Sequence, residues 1–130
     1  MKIETADSNF SKYIRLRDTD ENGYGKCCSC GKIVHYKDAD AGHFINRKHK
    51  SVRFSEQNVN LQCRACNRFD EGAIPEYYNF MVKKYGQDVI DKLLIAKLQT
   101  IKFGQLEIKT TNDFYKQRVK DLSKLKNFKV

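Results

Sequence analysis

Two Cys-x-x-Cys pairs, Cys27 with Cys30 and Cys63 with Cys66, flank residues 31–62 of a 130-residue chain. In a tight knuckle a two-residue gap lets both thiolates face one ion at about 2.3 Å, and two knuckles complete the tetrahedron zinc prefers. Redox-active pairs and merely buried cysteines are the alternatives, and a second pair in a short basic chain favours zinc over both. The fold must then bring two distant segments to one point. The fifth cysteine, Cys28, fits only a Cys-x-Cys spacing with Cys30 and is expected to stand outside the cage. An odd count, with no apolar leader in MKIETADSNF, argues against a disulfide framework and for a cytoplasmic protein.

Charge narrows the partner. Twenty-five Lys and Arg against sixteen Asp and Glu leave +9. Four thiolates and one Zn²⁺ add −2, so the loaded protein keeps about +7. Such a surplus favours a polyanion, usually nucleic acid, over a merely solvated basic surface. Residues 101–130 hold 8 basic and 3 acidic side chains, a denser excess than the rest of the chain. No stretch approaches the roughly 18 apolar residues of a membrane span, so no membrane partner is expected.

The pattern reads as one α+β domain over 1–130: an N-terminal helix at 8–18, a zinc core at 26–70 and a helical part at 75–130. Ser8 is the expected cap of the first helix, with Phe10, Tyr13, Ile14 and Leu16 inward. Asp18 to Gly25 carries turn chemistry. Short strands follow at GKIVHY and AGHFI, then a basic loop over 46–57, and a short helix starts within the second Cys pair. Pro75 opens a helix with Tyr78, Met81, Val82 and Tyr85 inward, ended by Gly86. Asp88 caps a helix striped by Ile90, Leu94, Leu98 and Ile101, and Gly104 breaks it. A last helix at 112–126 turns Tyr115, Val119, Leu122 and Leu125 inward. These stripes suit either the monomer core or a homodimer.

Between the knuckles lie Asp40-Ala41-Gly42-His43 and Asn58-Val59-Asn60, and Asn67 follows the last cysteine. A structural zinc explains none of them. Strand alternation sets Asp38 and Asp40 on one face, and a kink at Gly42 brings His43 towards Asp40. A neutral imidazole can take a proton from water at physiological pH. An Asp carboxylate and an Asn carbonyl are hard oxygen ligands for Mg²⁺. The types are those of metal-dependent phosphodiester hydrolysis, although a packed histidine and turn-capping asparagines are the bland alternatives.

A Cys pair, a strand-end His, then N-x-x-x-x-C-x-x-C-N resembles the HNH (His-Me finger, ββα-metal) nucleases. SKYIRLRD at 11–18, CSCG at 28–31, DAGHFI at 40–45 and RFSEQNVNLQCRACN at 53–67 resemble the NinG (Rap) family of phage recombination proteins, branched-DNA endonucleases. The layout is also similar to phage T4 endonuclease VII, a junction resolvase. The resemblance implies a small zinc-stapled ββα-metal core flanked by α-helices, with structural Zn²⁺ and catalytic Mg²⁺ or Mn²⁺. It makes His43 the general base, Asn67 a metal ligand, and Asn58 the residue that orients the histidine or supports the metal site. Endonuclease VII has Asp directly before its His. Gly42 stands there in this chain, so Asp40 is the substitute, with Asp38 behind it. Arg47, Lys48, Lys50, Arg53, Arg64 and Arg68 surround the site and suit phosphate contacts, which carry no sequence information. The expected function is metal-dependent, structure-selective cleavage of branched DNA. The alternative is a non-catalytic zinc module that binds nucleic acid.

Overall fold

A computed structural model describes residues 1–127, so the end of the expected 75–130 helical part lies outside the described residues. The chain opens with α1 (Ile3–Arg17), whose Ala6, Phe10, Tyr13 and Ile14 recur at helical spacing and are buried. It starts a full turn before the expected residue 8, because Ala6 extends the buried face upstream. Ser8 is therefore inside the helix and Lys2 takes the cap position.

Strands β1 (Tyr24–Lys26) and β2 (Ile33–His35) pair antiparallel, Tyr24 opposite His35. The turn expected through Gly25 is shorter, since Tyr24 and Gly25 already pair. Their connection is the first knuckle: Cys27 N donates to Lys32 O at 2.8 Å, and Gly31 N to Cys27 O at 2.9 Å. Gly31 has φ +78°, a left-handed turn that glycine makes without strain. A second antiparallel pair, β3 (Ala39–His43) and β4 (Val59–Cys63), sets Ala39 opposite Cys63 and His43 opposite Val59. The last cysteine then sits in a wide helical turn, Ala65–Phe69.

Three helices complete the chain: α2 (Ile74–Tyr85), α3 (Gln87–Lys97) and α4 (Gln105–Lys126). Pro75 lies in the first turn of α2, as expected, and Gly86 ends it with φ +90°. The buried stripe of α2 is Tyr77 and Met81, while Tyr78 and Val82 are exposed. The phase is set one residue earlier because the Tyr77 hydroxyl anchors inward, donating to Gly42 O at 2.6 Å. On α3, Ile90 and Leu93 are buried; Leu94, Leu98 and Ile101 are exposed, and Leu98 and Ile101 fall beyond the helix end. Asp88 makes no cap, since Gly86 holds that position. Helix α4 starts at Gln105 rather than 112, burying Ile108, Tyr115 and Val119 but leaving Leu125 exposed. No helix among the described residues is long and apolar enough to cross a membrane.

The β3–β4 pair lies between two helical layers. Val59 and Ala41 pack with Phe10, Ile14, Tyr115 and Val119 of α1 and α4. On the other side Ile45 and Val52 pack with Tyr77, Met81, Ile90 and Leu93 of α2 and α3. A third cluster, around Leu61, Val34 and Ala73, encloses the knuckles.

The Sγ atoms of Cys27, Cys30, Cys63 and Cys66 lie within 4.8 Å of one another, and those of Cys30 and Cys63 are 3.8 Å apart. A tetrahedron with ~2.3 Å Zn–S bonds has edges of about 3.8 Å. All five cysteines are free thiols. Ser29 N and Cys30 N point at Cys27 Sγ at 3.4 and 3.5 Å, and Cys66 N at Cys63 Sγ at 3.5 Å. The hydrogen bond from Cys28 and these backbone donors hold the Cys27 thiol far below the ordinary range, against burial. Burial pushes Cys30 and Cys66 up. Cys28 itself is not among the four cage cysteines: it packs beside Ile45 and Tyr77 and meets the cage through its hydrogen bond to Cys27. Four soft donors at this spacing fit zinc. Metal analysis should find one Zn²⁺ per chain. Cys63→Ser should lose both the ion and cooperative thermal unfolding, since structural zinc binding is largely folding free energy. A zinc-free protein with an unchanged melting curve would refute the cage.

Candidate active site

A cleft of about 780 Å³ runs beside β3, lined by Asp7 and Ser11 of α1, Asp40 and His43 of β3, Arg47 of the basic loop, and Asn67 and Arg68 after the last cysteine. Three of the four expected catalytic residues, His43, Asp40 and Asn67, thus share one cavity wall.

His43 is half-buried, and its Nε2 lies 2.9 Å from the carbonyl oxygen of Arg53. A carbonyl only accepts, so this network assigns the proton to Nε2 and leaves Nδ1 as the lone-pair nitrogen. Burial lowers the His43 pKa; the Arg53 carbonyl opposes this and the Arg47 charge reinforces it. The ring is therefore neutral at pH 7, the form a general base needs.

The carbonyl that orients His43 is itself held. Arg53 Nε donates to Asp7 Oδ1 at 2.9 Å, and its Nη2 makes a second, short bond to Asp7 Oδ2. Its side chain is only 11% exposed. Arg53 is thus a tie between the loop and α1 rather than a free phosphate ligand, which corrects its expected role. Asn58 is corrected too. It is fully buried, accepts from Ile45 N at 2.8 Å, and donates to Ile45 O at 2.9 Å and Val52 O at 3.2 Å. It lies outside the cleft and fixes the loop beside Arg53 instead of meeting the histidine directly.

Asp40 and Asn67 are in contact: Asn67 Nδ2 donates to Asp40 Oδ2 at 2.9 Å. Arg68 adds a fork to the same carboxylate, Nε at 2.9 Å and Nη2 at 2.8 Å. Burial raises the Asp40 pKa, but the bonds from Arg68 and Asn67 outweigh it and the net shift is down. Asp40 is a carboxylate at neutral pH. Asp38 is not its strand partner: it ends a tight turn, Tyr36–Asp38, before β3 begins, and is exposed away from the cleft. A side chain at position 42 would crowd buried Gln62, because a Cβ there would fall 1.9 Å from its Oε1 and force that side chain to move. That oxygen is the one buried side-chain polar atom without a hydrogen-bond partner among the described residues.

The remaining basic residues divide. Arg47, Lys48 and Lys50 are exposed, with Arg47 on the cleft rim 3.7 Å from Asp7. Arg64 donates to Lys37 O at 2.9 Å, and Arg68 is committed to Asp40. Sequence reasoning missed three supports. Asp7 gives no local signal. Tyr77 is one residue out of phase with the expected stripe. Asn60, for which turn capping was the bland alternative, is buried and meets Arg17, Tyr77, Lys84 and Tyr85.

Comparison with known proteins follows the same residues. The family described as Bacteriophage Lambda NinG protein matches residues 2–126. Protein ninG of Escherichia phage lambda is 29% identical over 121 residues, covering 92% of this chain and 56% of that protein. Protein ninG of Salmonella phage P22 is 28% identical over 121 residues, covering 92% and 57%. The chain therefore spans about half the length of the curated relatives it matches. No solved structure matches it. From Lys2 to Lys126, through both knuckles and the whole cleft, the chain belongs to the NinG family of bacteriophage proteins.

Proposed function

We propose that the protein is a metal-dependent endonuclease of the HNH (ββα-metal) type acting on branched DNA. The carrying observation is the cleft in which a neutral His43, its Nδ1 lone pair free, shares a wall with the Asp40–Asn67 pair. The ββα-metal assignment is supported by the β3–β4 pair running straight into the helical turn that bears Asn67. His43 Nδ1 takes the proton from the attacking water, while the Arg53 carbonyl keeps the ring aligned. Water oxygen adds to phosphorus, the P–O3′ bond breaks, the leaving 3′ oxygen takes a proton from solvent, and the imidazolium returns its own proton to solvent. Arg47 at the rim balances phosphate charge. Asp40 and the Asn67 side-chain carbonyl are hard oxygen donors that fit Mg²⁺ or Mn²⁺, which when bound neutralises charge on the phosphate and the leaving oxygen. Branched DNA is the substrate we assign from the resemblance of the Cys-pair, His and Asn spacing to junction-resolving endonucleases.

One observation favours a second reading, a non-catalytic zinc module that binds nucleic acid: the Arg68 fork already satisfies Asp40. Cleavage separates the two. On a labelled four-way junction with Mg²⁺, His43→Ala should slow cutting about 10²–10⁴-fold, the usual worth of a positioned base. Zinc content and junction affinity should stay near the parent values. Activity should rise with pH and level off below the ordinary histidine value, because the neutral form is already favoured by burial. Asp40→Asn and Asn67→Ala should raise the Mg²⁺ midpoint, with partial rescue at high Mg²⁺. Equal cutting by His43→Ala and the parent would hand the protein to the second reading.

DNA binding has its own test. Arg47→Ala with Lys48→Ala, both exposed, should flatten the dependence of log affinity on log salt by about 0.9 for every phosphate the two side chains neutralise in the parent. Junctions should be bound better than linear duplex of the same sequence. Salt-independent binding, or a preference for one linear sequence, would contradict the assignment.

A further inference from the structure

A second cavity, about 610 Å³, lies between α1 and α4 and plays no part in the cleft described above. Its floor is Val119 and Ser123, both buried. Its walls carry Lys12 from α1 and Lys116, Lys120 and Lys124 from α4. All four lysines are exposed or half-buried, and none makes an ion pair among the described residues. The only acid on the wall among the described residues, Asp121, accepts a hydrogen bond from Gln117.

The spacing of these lysines is regular. Lys116, Lys120 and Lys124 advance by four residues, about 6 Å of helix rise per step, so they form one row along the groove. A lysine row opposed by Lys12 across a concave floor lines the groove with positive charge along its length, as a sugar-phosphate backbone laid in it would require.

The placement relative to the cleft gives the groove its meaning. At about 100° per residue, Asp7 and Ser11, which line the cleft, fall on one side of α1. Asn9 and Lys12, which line the groove, fall towards the other side. One helix thus divides two basic-edged concavities. A straight duplex seated in the cleft does not enter the groove, whereas two arms diverging from a branch point can flank α1.

We propose that the α1–α4 groove is a second DNA-binding surface that holds the phosphate backbone of another arm of the same branched molecule. The inference rests on the DNA-binding function proposed above and supplies a physical basis for structure selectivity: one site cuts, the other grips.

The test uses the whole chain with Lys12, Lys116, Lys120 and Lys124 replaced by Gln. Its control is a four-fold Lys→Gln variant at Lys26, Lys32, Lys83 and Lys92, which carries the same charge change away from the groove. Affinity for a four-way junction and for a linear duplex is measured across a salt series, and junction cutting is measured at saturating protein. The junction salt slope of the groove variant should fall by about 0.9 for each phosphate that these lysines neutralise in the parent. It should approach equal affinity for junction and duplex, with the cutting rate at saturation within about two-fold of the parent. The control variant should keep the junction preference. A groove variant with the parent's junction preference and slope would overturn the proposal, as would equal losses in groove and control variants. If the parent itself binds neither substrate, it is the DNA-binding function that fails.

Discussion

Four sulfurs within 4.8 Å of one another form the constraint on which the rest of the chain depends. As thiolates they repel in a partly buried site, and as thiols they make weak hydrogen bonds. A divalent cation reverses the balance by replacing four repulsions with four bonds. Each knuckle also ends a pairing element: the first turns β1 into β2, and the second terminates β4. Closing the cage therefore fixes the β3–β4 register, because Cys63 is the residue opposite Ala39. Once that register is set, Asp40 and His43 have defined positions, and Asn67 is delivered to Asp40 by the turn that carries Cys66.

The strand β4 then does two unlike jobs. Its five residues are all buried, yet two of them, Asn60 and Gln62, are carboxamides, as is the adjoining Asn58. Burying an unpaired amide costs about 1–3 kcal/mol by protein mutational measures, so each must be matched. Asn58 pairs with the loop backbone, Asn60 with Tyr77 and the end of α2, and Gln62 Nε2 with Ser29 and Gly72, while Gln62 Oε1 stays unpartnered among the described residues. This polar side of the strand is a set of directional ties, where an apolar side would slide. It holds the loop that presents the Arg53 carbonyl, and hence the tautomer of His43.

Much of this is legible in the residues. The cage is readable because metal geometry demands a fixed ligand spacing. Pro75 and Gly86 mark helix ends because backbone sterics leave little choice there. His43, Asp40 and Asn67 are readable as chemical types out of place beside a structural zinc. The α2 stripe is not, since Tyr77 and Tyr78 differ only in which hydroxyl finds Gly42 O, a contact 35 residues away in sequence. Leu94, Leu98 and Ile101 mislead for the opposite reason: helical periodicity records what can be buried, and α3 stops at Lys97. Arg53 looks like its basic neighbours until Asp7, 46 residues earlier, claims it.

The Arg68–Asp40 fork decides how the cleft is to be understood. Taken alone, a doubly bonded carboxylate argues that the ligand position is already filled. Yet Arg68 is 54% exposed, on a turn, and solvent screening leaves pairs of this kind weak. The Arg53–Asp7 fork shows the contrast: the same chemistry at 11% exposure, between two packed elements, is not easily opened. Asp40, at 16% exposed, is kept ionised at little cost by a partner that can swing into solvent. On the function proposed above, an arginine so placed can release the carboxylate to a metal ion and turn its own charge to a phosphate, and the Arg68–Asp40 pair is then the resting state of the site.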